Sequence, residues 1–410
     1  MFIRPGVAPI RLQRQHQAHP HQHGGQQCRP HRRAPSVLSH RLSLNPRAHR
    51  DKTIRTRNGY HRCPPDLNTR SAVKFAVIGL NHGHIYGQVE GLLTIPGAQF
   101  VGFAAVEDDL AAQFAARYPD VPRRTKSELL ADPAIDLIAS ASINAERGPL
   151  GVETLRAGKH YFVDKPPLTR LEDVDAIEAA LQASGKMMFV FYGERMSCQF
   201  DIKAKQLVQQ GAIGEIVHVM GLGPHRLNAP SRPSWFYDPA QYGGTFNDIA
   251  SHQVEWFVWI TGQRIKSFSS RIGRFGSPAP APASFEDFAD ATITGENGVT
   301  GYVRVDWFTP EKSPIWGDVR GLIVGTKGTI EIRRTINLAA KDDADRKGHM
   351  LMTTHELPPH RVDCSQVLIE WPTQIAQSLQ QNRNLLLDHD TLLHVMRQTV
   401  RMQREATRVR

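Results

Sequence analysis

One lysine, one aspartate and one histidine carry the chemistry that this sequence offers. Lys165 lies in "HYFVDKPPLT" (160–169), where Tyr161, Phe162 and Val163 run into Asp164, Lys165 and two prolines. Why a buried strand ends on a charge pair and is then locked by Pro166 and Pro167 is the question these residues raise. A solvated turn is the plainer reading of the same residues. Asp248 and His252 stand four residues apart in "GGTFNDIASHQVEWFVWITG", so on a helix both project from one face. The flanking "VEWFVWI" is apolar and implies burial, where a surface ion pair explains little. A histidine beside a carboxylate in a buried helix has its tautomer fixed and its pKa raised, as a general base needs. Asp248 and His252 lack a third clustered ligand, so no metal site is expected.

A second group of residues could hold a dinucleotide. "VKFAVIGL" reads as a central strand, and Gly79-Leu80-Asn81-His82-Gly83-His84 follows it as a turn into a helix. A G-x-G-x-x-G fingerprint would set a pyrophosphate on that helix N-terminus. Only Gly79 is in register; Asn81 holds the second glycine position and His84 the third. Asn tolerates positive φ better than most residues, so the turn survives. Glu107 ends the second apolar strand, where an acid can accept both hydroxyls of an adenosine ribose and repel a 2′-phosphate. No arginine is adjacent in "VEDD", so NAD is expected in preference to NADP. The plainer role for Glu107 is to cap the next helix.

The elements around these residues alternate. Strands near 73–80, 98–109, 134–144, 159–167 and 187–192 are separated by helical stretches, which predicts βαβ units in a parallel sheet. From Tyr192 on, "KSFSSRIGRF", "DFADATITGENGVTGYVRVDWF" and "DVRGLIVGTKGTIEIRR" alternate with turns at Asn297-Gly298 and Lys327-Gly328, which predicts a largely antiparallel sheet. A helix is expected from about Asn247 to Ile260, and two final helices at about 365–381 and 387–408. The fold class is α/β: a doubly wound parallel sheet, then an α/β domain with an open sheet. The expected boundaries are 1–70 for a disordered basic extension, 71–191 for the nucleotide domain and 192–410 for the second domain, whose last helix can pack back on the first.

Composition bounds the alternatives. A chain of 410 residues with 40% hydrophobic and 22% charged content fits a soluble two-domain protein. No apolar run spans a bilayer. Cys28, Cys63, Cys198 and Cys364 form no CxxC pair, so neither a disulfide framework nor a zinc ribbon is indicated. A cytoplasmic location is the default. The net charge of +10 is local: residues 1–70 hold 14 Lys and Arg against 2 acids. Apart from that segment the chain has no general attraction to nucleic acid. The segment lacks periodicity and cannot bury enough surface to fold. The segment reads as a translation start set too early in preference to a transit peptide, a nucleic-acid tail or a metal-binding "HPHQH".

"KFAVIGL" with its small-residue turn, "AGKHYFVDKPPLT" and "GGTFNDIASHQVE" together resemble the Gfo/Idh/MocA oxidoreductases over about residues 73–400. That family usually has Glu-Lys-Pro where this chain has Asp164-Lys165-Pro166. Its Gly-Gly-x-x-x-Asp-x-x-x-His pattern falls on Gly243, Gly244, Asp248 and His252. The resemblance implies NAD-dependent hydride transfer between nicotinamide and a secondary alcohol or ketone of a sugar, inositol or related polyol. It implies catalytic roles for Lys165, Asp248 and His252. Cofactor contacts would come from Gly79, Asn81, His82, Gly83, His84, Glu107, Asn144, Asp164 and Lys165. Arg195, His225, Trp235 and Tyr237 are candidate substrate contacts. A homo-oligomer, dimer or tetramer, would pair through the open sheet, and the Lys165–Pro166 bond is a candidate for cis. The competing reading is a catalytically silent nucleotide sensor or scaffold on the same fold, which Asn81 and Asp164 make conceivable.

Overall fold

The computed structural model describes residues 73–410 except 277–281, 283, 339 and 343–345. The basic segment 1–70 and most of the Pro-Ala connector at 277–284 lie outside the described residues. Five parallel strands form the first sheet: β1 (Lys74–Ile78), β2 (Gln99–Ala104), β3 (Leu137–Ser140), β4 (His160–Asp164) and β5 (Met188–Phe191). Their spatial order is β2-β1-β3-β4-β5. Helices cover both faces of such a sheet, so its strands are apolar throughout. Phe75, Ala76, Val77, Leu137, Ile138, Phe162 and Val163 are all fully buried. The order reverses between β1 and β3, and the crevice outside the strand ends at such a switch point is where doubly wound sheets bind ligands. The ends of β1 and β4 carry Gly79 and Lys165 to that edge.

Gly79 shows why the turn after β1 starts with glycine. Its φ is +86°, and a Cβ there would lie 2.4 Å from Ser142 Cβ. No side chain fits between the β1 turn and the loop after β3. The remaining fingerprint positions have lost their glycines and kept a helix start, with helix His84–Leu92 following directly.

The second sheet has nine strands, β6 (Ile216–Pro224), β7 (Ile265–Gly273), β8 (Phe288–Gly295), β9 (Thr300–Asp306), β10 (Arg320–Gly325), β11 (Gly328–Ile336), β12 (Lys347–Thr354), β13 (His360–Arg361) and β14 (Thr407–Arg408). They run in the order β13-β12-β11-β10-β6-β9-β8-β7-β14. Pairing is antiparallel except at β6–β9 and β7–β14. The sheet is therefore mixed but largely antiparallel.

The helix expected from Asn247 to Ile260 divides in two: a π-helical turn at Phe246–Ala250, then an α-helix at Ser251–Thr261. A π-turn in a helix often marks a functional position. Gly244, with φ +92°, leaves room for Gln403 of the last helix, whose Oε1 accepts the Phe246 N–H at 2.8 Å. That bond satisfies one donor at the start of the turn that carries Asp248.

The two final helices are shorter than the sequence suggests, at Trp371–Gln381 and His389–Arg404. Pro372 lacks an N–H and so must lie in the first helical turn, which sets the start of the first. Asp388 accepts the Thr391 N–H and caps the second, and the chain then ends as β14. Arg397 reaches Asp175 at 2.6 Å and Glu178 at 2.9 Å, which ties the last helix to Leu171–Ser184 beside the first sheet. Among the described residues no helix is long and apolar enough to cross a membrane.

Candidate functional site

Two cavities meet at Asn81 on the carboxyl edge of the parallel sheet. The larger holds about 980 Å³ and is walled by the ends of β1 and β2, with Gly79, Glu107 and Arg123 at its edge. The smaller holds about 400 Å³ and lies between His82, Asn144 and Lys165 on one side and His225, Arg232 and Asp248 on the other.

Glu107 sits at the N-cap of helix Asp108–Arg117, yet its side chain caps nothing. Its Oε1 instead accepts Asn81 Nδ2 at 2.7 Å. Asn81, in the place of the second glycine, therefore bridges the first turn to the acid of the second strand. The absence of arginine beside "VEDD" does not survive folding. Segment 121–124 runs along β2, with Phe103 bridged to Arg123. Arg123 then pairs with Asp108 at 2.7 Å and donates to Ala105 O at 3.0 Å.

At the smaller cavity, Lys165 Nζ donates to Asp248 O at 3.0 Å and meets Asp248 Oδ1 at 3.3 Å. Both side chains are nearly buried, at 5% and 8% exposure. The Lys165–Pro166 peptide is cis. Burial raises the Asp248 carboxyl, but Lys165, His82 and Arg232 outweigh it and hold the group below the usual carboxylate range. Asp164 is fully buried behind this pair. Burial again opposes ionisation there, and His84, His82 and Arg147 overcome it, so Asp164 is held well below its ordinary value.

His252 departs from expectation. Burial comes first, followed by the charge of Lys165 and the neighbouring His84 and His225, and together they push its pKa well down instead of up. Asp248 does not reverse this, because its carboxylate is engaged by Lys165. The imidazole is 4% exposed, its Nδ1 has no hydrogen-bond partner, and it lies beside the smaller cavity without lining it.

The candidate substrate residues divide. His225 and Trp235 line the smaller cavity together with Asn144, whose Nδ2 donates to Tyr242 O at 2.9 Å. Arg195 lies elsewhere: its guanidinium is held by Glu255 through bonds of 2.9 Å and stacks 4.5 Å over Trp259. Tyr237 donates to Ala229 O at 3.3 Å and borders a separate small pocket.

Five residues at the site were not singled out from the sequence. Arg147 is fully buried, donates to Ser142 O at 2.7 Å and to Pro166 O at 3.1 Å, and so locks the loop after β3 to the Lys165 turn. A cation opening a helix opposes the helix dipole, which was the one available hint. Arg232 lies 4.9 Å from the Trp307 ring and 5.3 Å from the Trp316 ring, both walls of the smaller cavity. Glu194 is the fifth. His225 Nδ1 donates to Gly223 O at 3.1 Å, which turns Nε2 toward Glu194 Oε1 at 3.7 Å. Burial pushes Glu194 up to about 7, against the pull of Arg334 and Lys165.

A raised carboxyl holds its proton in the folded state where the unfolded chain has already lost it. Its contribution to stability is full below 4.5 and is lost as pH rises toward about 7. Buried histidines such as His225 act in the opposite sense, so the comparison must be with a variant. Glu194→Gln is expected to gain stability relative to wild type as pH rises across that window. Denaturant melts in a pH series read this, and a constant difference between the two proteins would refute the assignment.

Comparison with known proteins places the architecture. Residues 73–192 match a family model described as an oxidoreductase family with an NAD-binding Rossmann fold, and residues 202–331 match the GFO/IDH/MocA C-terminal domain. The chain is 26% identical over 264 residues to scyllo-inositol 2-dehydrogenase (NAD(+)) of Bacillus subtilis, covering 63% of this chain and 73% of the relative. It is 24% identical over 293 residues to myo-inositol 2-dehydrogenase of Thermotoga maritima, covering 68% and 81%. A crystal structure from Erwinia carotovora atroseptica SCRI1043 superposes with a TM-score of 0.77 at 34% identity, over 82% of this chain and 100% of that one.

Proposed function

This chain belongs to the Gfo/Idh/MocA oxidoreductase family, and from that premise we propose that it moves a hydride between NAD and a secondary alcohol or ketone of a cyclic polyol or sugar. The observation that carries the reading is Lys165 in the wall of the smaller cavity, oriented by Asp248 and joined through Asn81 to the larger one. The larger cavity suits a dinucleotide: Gly79 leaves space where a Cβ would clash, and Glu107 stands where a ribose diol would bind. Nicotinamide, when bound, supplies the hydride acceptor.

The chain's own residues handle the oxygen and its proton. Lys165 hydrogen-bonds the reacting oxygen and stabilises alkoxide character as it develops. Asp248 balances the ammonium and fixes its direction. His252, whose Nδ1 has no hydrogen-bond partner, is the acceptor for the hydroxyl proton once substrate binding brings the two within reach, and its neutral form is the required one. Trp235, Trp307 and Trp316 offer aromatic walls to the C–H faces of a sugar or inositol ring, and Arg232 and His225 offer donors to its hydroxyls. The names of the inositol dehydrogenase relatives support the substrate class. The same reading extends to a dimer or tetramer through the second sheet, where β11 alternates buried and part-exposed residues; sedimentation velocity reads this directly.

The test is a screen of inositols and aldoses with NAD and with NADP, following absorbance of the reduced nicotinamide. Turnover with NAD above NADP is expected. Glu107→Ser is expected to raise kcat/KM for NADP without an added arginine, because Arg123 already borders the same cavity and would face the 2′-phosphate with its Asp108 pair as the remaining local acid. A wild-type protein that prefers NADP would overturn this use of Glu107, and a screen without turnover would overturn the polyol reading.

A further inference from the structure

We propose that His82, His84 and Asp164 form a binding site for a divalent first-row metal ion of the zinc type, open to the smaller cavity. One ligand atom from each residue lies within 4.8 Å of the other two. His84 Nδ1 is 2.8 Å from Asp164 Oδ1, and His82 Nδ1 is 3.1 Å from Asp164 Oδ2. Ligands bound at about 2.0–2.2 Å from one cation sit roughly 2.9–3.4 Å apart at right-angle or tetrahedral geometry. Two imidazoles and a carboxylate form the mixed nitrogen and oxygen set that such ions take.

The contacts at His82 favour a cation over a hydrogen bond. His82 Nδ1 accepts the His84 backbone N–H at 3.3 Å and stands 3.1 Å from Asp164 Oδ2, so one ring nitrogen faces both groups. Asp164 Oδ2 is left buried without a hydrogen-bond partner, in a residue of 0% exposure. A buried acceptor left in this way calls for a missing partner. The nearest cation, Arg147 Nη2, stands 3.5 Å from Asp164 Oδ2 and is itself without a hydrogen bond.

The three ligands come from two strand ends. His82 and His84 occupy the first turn, in and beside the places where a dinucleotide fingerprint has small residues, and Asp164 ends β4. His82 and His84 both line the smaller cavity, so the remaining coordination positions face it. Three protein ligands with open positions is the pattern of a reactive metal site, whereas structural sites are closed by four. The proposal goes beyond hydride transfer and does not depend on it, because its readout is the metal itself.

The experiment uses the full chain, stripped with chelator and titrated with Co²⁺ while visible ligand-field bands are followed. Wild type is expected to take up one tightly held equivalent with such bands, displaced by Zn²⁺ and unaffected by Mg²⁺. A His-rich segment such as 1–70 is a candidate adventitious metal binder, so the comparison is with His82→Ala/His84→Ala, which keeps that segment and should lose one equivalent and its bands. Both histidines are part-exposed, at 27% and 38%, so the variant is expected to melt near wild type. His84→Cys is expected to add a thiolate-to-cobalt charge-transfer band. Identical uptake and spectra in wild type and the double variant, or a cysteine variant without the new band, would overturn the site.

Discussion

Lys165→Ala is expected to lower turnover by roughly a hundredfold or more, the scale of losing one preorganised donor to a developing oxyanion. It is also expected to lower stability, because Asp248 is left 8% exposed with no ammonium beside it. Removing one partner of a buried pair costs about 3–5 kcal/mol, so a loss of activity in this variant alone proves little. Asp248→Asn in the same chain removes the stranded charge. The double variant should regain most of the melting temperature and none of the turnover. Stability and chemistry then separate, which pairwise substitution at contacting residues is suited to reveal. Thermal melts and steady-state rates on the same preparations measure both. A double variant that turns over near the wild-type rate would remove Lys165 from the mechanism.

The legible part of the site lay at the ends of elements. Gly79, Glu107 and Lys165 each close an apolar strand, and the period-two and period-3.6 patterns that locate strands and helices therefore located them too. Asp248 was legible from its four-residue spacing to His252, and from the resemblance of Gly243, Gly244, Asp248 and His252 to the family's pattern. Arg147, Glu194, Arg232, Trp307 and Trp316 were not, because each reaches the site from a separate segment and no local pattern marks which side chains converge. The sign of the His252 shift was misread for the same reason. Four-residue spacing says that Asp248 and His252 can share a face, but not that Lys165, 83 residues earlier, would take the carboxylate. Arg123 repeats the lesson: nothing in "VEDD" shows that a bridge from Phe103 brings an arginine beside the acid. Asn81 and His84 fall on the glycine positions of the first turn, while the contact that His82 and His84 share at Asp164 needs β4 placed within reach of that turn.

His252→Ala is expected to reduce alcohol oxidation by roughly a hundred- to ten-thousandfold, the scale of losing a general base. The pH dependence distinguishes that role from a structural one. Burial and the nearby Lys165 hold the His252 imidazole neutral well below its ordinary value of 6.5. A base must be neutral to accept the hydroxyl proton, so the oxidation rate should stay level as pH falls through 6.5 and drop only in more acidic solution. Stability shares the sign: the unfolded chain takes up a proton near 6.5 that the folded site refuses, so stability is full above that value and declines below it. The alanine variant should lose the acid limb of kcat/KM and soften the acid loss of stability together. Its remaining rate should be nearly independent of pH over the same range. His252→Asn, which keeps a polar group of similar size in the pocket, should restore the melting temperature and leave the rate low. A residue that only orients Lys165 predicts otherwise, with a lower kcat on an unchanged limb. Finding the acid limb intact in the variant would take the proton from His252 and leave Glu194, held at about 7 beside His225, as the group to test next.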